Sequence, residues 1–199
     1  MNRMIRNALR NNIGLRHQLE KNLLGDKGDV WEREFNKFLR QEECWVKKVV
    51  KKKAAETYPI TVNYAMTLEQ MIVAGKYDRE HYAINSKNFV IKGEGKPELK
   101  PQLIHFNYDI SSDVAEAKLD KLDLRPANLE ELLAFGATYR DLQKKFPIVA
   151  LRAETSIFGN RCVAGLDYIN LSRRLHLYCR TGFWYAHCRF LALPKFSGA

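Results

Sequence analysis

The sequence predicts an α+β protein, and three observations carry that reading. Apolar residues recur at helical spacing through residues 3–54. Short segments broken by Pro and Gly fill the middle of the chain. Strand-like runs occupy residues 146–193. With 199 residues, 46% of them hydrophobic, the chain has material for one ample core or two small ones. Two domains are expected: a basic helical hairpin over 1–54, and an α+β domain over 58–199 with a mixed central region and a C-terminal antiparallel β-meander.

The elements follow in order. Ile5, Leu9 and Ile13, then Leu15, Leu19 and Leu23, form an apolar stripe over residues 3–24, with Arg3, Arg6, Arg10 and Arg16 on the polar side. Leu24 to Gly28 ends that helix. Asp29 lies three residues before Glu32, a capping-box pattern, and opens a second helix expected over 30–54. Its stripe of Trp31, Phe35, Phe38, Leu39, Trp45, Val46 and Val49 is expected to serve as core against the first helix.

Tyr58-Pro59 marks a boundary, because the residue before proline avoids the helical region. Ile60 to Tyr64 reads as a strand. Thr67 caps a helix from Leu68 to Ala74 that Gly75 stops. Ala83 to Ile91 reads as a strand, Lys92 to Lys96 as a turn, and Leu99 to Tyr108 as the return strand, interrupted by Pro101. Ser111 or Ser112 opens a helix through Leu122, which Arg125-Pro126 breaks. Asn128 and Glu131 cap a helix from Leu129 to Phe135, punctuated by Gly136. Thr138 to Lys145 reads as one more short helix, Phe146 to Ala153 as a strand, and the remainder to Leu193 as β-meander.

Charge is uneven along this plan. Residues 1–53 hold 14 Lys and Arg against 7 Asp and Glu, residues 54–145 hold 12 against 14, and residues 146–199 hold 7 against 2. Two basic ends around a near-neutral middle favour a polyanion: nucleic acid or an acidic protein surface. No run of about 18 apolar residues is present, so no transmembrane segment is expected. The first residues carry no apolar signal region, which points to a cytoplasmic location. Cys44, Cys162, Cys179 and Cys188 form no CxxC pair and read as reduced thiols, with no metal site expected. Gly93 and Gly95 make a lone GxG in a turn. No GxxxxGK[ST], GxSxG or HExxH occurs, so no cofactor is implied.

Three segments carry a resemblance: Tyr58 to Asp78, Leu103 to Asp113, and Leu124 to Leu151, with Arg189 to Leu193 fitting the same pattern. Over residues 58–193 the chain resembles a family of uncharacterised proteins encoded by uncultivated small-genome bacteria. The resemblance implies no activity. It implies a last hairpin rich in Asp and Gly, where this chain has Arg, His and Tyr.

That last hairpin is the richest in chemistry. If Thr181-Gly182 is a two-residue turn, Arg180 faces Phe183, Cys179 faces Trp184, Tyr178 faces Tyr185, His176 faces His187 and Arg174 faces Arg189. Alternation then places Cys179, Leu177, Leu175, Trp184, Ala186 and Cys188 on a core face. Arg174, His176, Tyr178, Tyr185, His187 and Arg189 gather on the other. Guanidinium groups suit phosphate, and rings stack on unpaired bases, so this face is the expected nucleic-acid-binding surface, RNA favoured. Lys47, Lys48, Lys51, Lys52 and Lys53 add unspecific attraction for phosphates. Two other readings stand beside this one. His176 or His187 could act as acid and base in a metal-independent ribonuclease. Alternatively the basic surface docks on an acidic partner as a regulatory module.

Overall fold

The structure, a computed structural model, describes residues 13–42, 56–180 and 182–195. The chain divides into two compact units, Met1–Lys53 and Ala54–Ala199. It has an α+β fold with helices at the N-terminal end and antiparallel strands toward the C-terminal end.

In the first unit, α1 (Ile13–Leu23) and α2 (Gly28–Leu39) pack against each other across a short connection. The expected capping box does not open α2. Lys27 is the N-cap and makes no side-chain cap bond, and Asp29 lies inside the first turn, where its carboxylate meets the positive end of the helix. Nor does α2 reach residue 54. It stops at Leu39, Gln41 adopts a left-handed φ of 60°, and Arg40 bridges the turn to Glu42 at 2.6 Å. Over its described residues the apolar stripe is not a buried core. Phe35 and Phe38 stack at 6.2 Å, yet no α2 residue is buried and Phe38 is 57% exposed. Residues 3–12 of the first helix, and Cys44, Trp45, Val46, Val49, Lys47, Lys48, Lys51, Lys52 and Lys53, lie outside the described residues.

The second unit begins with β1 (Ile60–Thr61) and α3 (Leu68–Gly75). Thr67 caps α3 as expected, and Gln70 completes a capping box with it. The expected strand over Ala83–Ile91 is absent. Instead β2 (Arg79–Glu80) precedes a series of turns in which Asn85 donates to the Tyr82 carbonyl at 2.9 Å and Asn88 to the Ala83 carbonyl at 2.8 Å. These amides satisfy the backbone locally and remove the need for a ladder. The return strand is split at Pro101 into β3 (Glu98–Leu99), paired with β1, and β4 (Gln102–Ile104).

Next come β5 (Ile110–Ser111), α4 (Ser112–Asp120) capped by Ser111, and β6 (Leu124–Pro126). The Asn128–Glu131 capping box opens α5 (Leu129–Thr138). Gly136 does not stop α5. A Cβ there would lie 2.2 Å from the Tyr77 hydroxyl, so glycine lets the helix seat on that ring. A single 3-10 turn at Leu142–Lys144 stands in place of the expected last helix.

β7 (Ile148–Ile157), β8 (Asn160–Ile169) and β9 (Ser172–Cys179) form an antiparallel meander. Its turns, Phe158-Gly159 and Asn170-Leu171, carry positive φ at both central residues, the geometry that matches strand twist. β10 (Phe183–Trp184) leaves the meander, and β11 (Arg189–Pro194) returns parallel to β7. The main sheet runs β2-β9-β8-β7-β11-β4, with β6 also on β11.

One face of this sheet packs Ile148, Ala150, Ala164, Leu166, Leu175 and Leu177 against α3 and α5. The opposite face packs Val149, Leu151, Val163 and Phe190 with Ala115 and Trp184. Burial on both sides explains why Ile148 to Leu151 is an unbroken apolar run. Among the described residues no helix is long and apolar enough to cross a membrane.

Candidate functional site

The alternation predicted for β9 is present. Leu175 and Leu177 are buried in the first core, and Arg174, His176 and Tyr178 take the other face. The predicted hairpin partner is not. β9 pairs with β8 on one side and β2 on the other, so Cys179 faces Cys162, Tyr178 faces Val163, His176 faces Gly165 and Arg174 faces Asp167. Phe183 and Trp184 pair instead with Ser111 and Ile110 of β5. Three contacts hold the departing chain there. Trp184 donates its indole N–H to Ser112 Oγ at 2.9 Å, the Ala186 amide donates to Asp109 at 2.8 Å, and His105 meets the Ala186 carbonyl at 2.7 Å. A buried indole needs a partner, and Ser112 at the start of α4 supplies one. Cys179, expected in the core, is exposed at the last position of β9.

Different pairing nonetheless brings five of the six residues predicted for the hairpin's polar face together. Arg174, His176, Tyr178, Tyr185 and His187 all line one cleft of about 580 Å³, between β9 and the 182–188 segment. Lys144, Lys145, Phe146, Asp167, Cys179 and Phe183 are also among its lining residues. Arg189 stands apart from the lining. Its guanidinium lies 4.6 Å from the centre of the Phe146 ring and donates to the His187 carbonyl at 2.9 Å.

Asp167 organises the floor. It is 2% exposed and accepts a bidentate pair from Arg174, at 2.7 and 2.6 Å, and a third bond from the Tyr178 hydroxyl. Tyr178 sits opposite Val163, so its ring must lean across Gly165 to reach Asp167. A Cβ on Gly165 would come within 2.8 Å of that ring. Burial, reinforced by the bond to Asp167, pushes the Tyr178 phenol far above its ordinary range, so it remains a donor. The Arg174 fork is thereby closed on a carboxylate.

His176 lies edge-on between His81 and Tyr178, with ring centres 5.4 and 5.3 Å away. Burial first, then the positive charge of Arg174, lowers its pKa from the ordinary 6.5, so the neutral imidazole prevails at pH 7. The rim is different in character. Phe183 and Tyr185 are 72% and 66% exposed, and Tyr185 stacks on His187 at 6.0 Å with an interplanar angle of 10°.

Sequence reading missed Asp167, Lys144, Lys145 and Phe183. Asp167 carried a usable signal: it and Glu154 are the sole acidic residues among residues 146–199, and an isolated carboxylate in a basic stretch is placed to pair. Among the described residues no three His, Cys, Asp or Glu side chains cluster as a metal-binding group. No protein family, no characterised protein and no solved structure matches this chain.

Proposed function

We propose that the protein binds single-stranded RNA, with unpaired bases entering the cleft between β9 and the 182–188 segment. The observation that carries this reading is the rim. Phe183 and the stacked Tyr185–His187 pair hold flat rings toward solvent, while Lys144 and Lys145 line the same cleft. Ring faces accept any base, and ammonium groups attract phosphate. Arg174 and Arg189 have other tasks: Asp167 and the Phe146 ring engage them. Lys144 is paired with the exposed Asp141 at 2.7 Å, so Lys145 supplies the phosphate contact, Lys144 adds to the local positive field, and Arg174 shapes the floor.

Fluorescence anisotropy of a labelled single-stranded RNA, titrated with the full chain in EDTA, tests this. Affinity should fall as salt rises, with log K against log salt sloping about −0.7 per phosphate neutralised. Removing one stacking ring, as in Tyr185→Ala or Phe183→Ala, should weaken binding by about tenfold. Absence of any anisotropy change at low salt rejects the reading. The ribonuclease alternative has one observation in its favour, since His176 and His187 line the same cleft. It predicts that the RNA shortens in EDTA and that His176→Ala or His187→Ala stops the cleavage.

A further inference from the structure

Cys162 on β8 and Cys179 on β9 are direct cross-strand partners. In the adjoining pair, the Arg180 amide donates to the Arg161 carbonyl at 2.8 Å, so the two cysteines occupy a non-hydrogen-bonded position of the antiparallel ladder. That position brings Cα atoms to about 4.5 Å, inside the span a disulfide bridges. The sulfurs already stand 3.8 Å apart. Cys162 is buried at the edge of the first core, Cys179 is exposed, and Cys179 lines the cleft described above.

We propose that Cys162 and Cys179 form a reversible cross-strand disulfide by exchange with small-molecule disulfides. This inference goes beyond RNA binding and does not depend on it. The exposed Cys179 thiolate attacks one sulfur of the external disulfide. The external S–S bond breaks, one thiolate leaves and takes a proton from water, and a mixed disulfide remains on Cys179. Cys162 then loses its proton to solvent and attacks the Cys179 sulfur, expelling the second external thiol. Two protein thiols are oxidised, and one external disulfide is reduced to two thiols. The division of labour follows from exposure: among the described cysteines only Cys179 is exposed to the reagent, and only Cys162 stands beside it to resolve the adduct. Burial and the contact with Cys179 raise the Cys162 thiol above its ordinary range, so the second step speeds up as pH rises.

Oxidised glutathione is the probe. The full chain is treated, quenched with iodoacetamide and digested with trypsin without reduction. Cleavage after Arg161, Arg173, Arg174 and Arg180 leaves Cys162 in peptide 162–173 and Cys179 in peptide 175–180. The expected product is these two peptides joined, while the buried Cys188 is recovered alkylated after denaturation. The folded chain should cross-link about tenfold faster than the chain in urea, because the ladder holds the sulfurs together. In Cys162→Ser, the glutathione adduct should persist on Cys179. A wild-type chain that keeps the adduct on Cys179 without cross-linking overturns the proposal. Equal rates in folded and unfolded chain overturn it as well.

Discussion

On the inner face of β9, Arg173 directs its guanidinium at oxygens that carry no formal charge. Nη1 donates to the Gly75 and Lys76 carbonyls at 2.9 Å each. Nη2 donates to Gly136 at 3.1 Å and to Gln143 Oε1 at 2.9 Å, and Nε donates to Arg140 at 3.2 Å. The Gly75, Lys76 and Gly136 carbonyls lie toward the C-terminal ends of α3 and α5, where the helix dipoles are negative, so the guanidinium is held with no carboxylate among its hydrogen-bond partners. Its planar group also covers the Tyr77 ring at 5.2 Å. On the outer face, the next residue, Arg174, faces a cleft and pairs with a single buried carboxylate. One arginine joins two helices to the sheet, and its neighbour shapes a recess. Charge density along the chain does not separate these roles, because both residues look like polyanion binders in a list. What separates them is the strand's alternation and what each face meets.

Four measurements probe that contrast, from the largest effect to the smallest. Arg173→Ala removes five hydrogen bonds to carbonyl oxygens, three of them buried, and leaves a void between α3, α5 and β9. Its cost should be about 3–5 kcal/mol by urea denaturation. An effect below about 1 kcal/mol would show that the junction does not hold the helices. Asp167→Asn removes the anion under Arg174 and Tyr178 and should cost about 2–3 kcal/mol. The same change releases the Arg174 fork, so the variant should elute from heparin at higher salt than the parent. Earlier elution would contradict the pairing.

Gly165→Ala pushes a methyl into Tyr178 and toward the Ile148 carbonyl, 2.8 Å away. It should cost about 1–3 kcal/mol, and a Tyr178→Ala background, which removes the ring, should relieve part of that cost. The smallest effect is a pH slope. The unfolded His176 takes up its proton near 6.5, and the folded one only at lower pH. His176 therefore gives its full contribution to stability above 6.5, and stability declines as pH falls below that value. Thermal melts between pH 7 and 5 should show a shallower decline in His176→Gln than in the parent.

The legible parts of the sequence were those with local causes. The Thr67 cap and the Asn128–Glu131 box placed two helix starts to the residue, because a capping bond closes within four residues. The alternation of Leu175 and Leu177 with Arg174, His176 and Tyr178 followed from the pleat alone. The Asp29–Glu32 pattern misled, since the same letters fit the interior of a first turn. Gly136 misled too. Read as punctuation, it is a contact point for Tyr77, a residue far away in the chain.

By itself, then, the sequence determined the class of the fold, the capped helix starts and which β9 side chains share a face, all set by neighbours a few positions away. Only the tertiary structure decided that Trp184 leaves β9 for Ser112, that Asp167 closes on Arg174, and that Cys162 meets Cys179. Strand pairing has no local signature: a buried indole or carboxylate goes wherever the folded chain offers the partner that satisfies it.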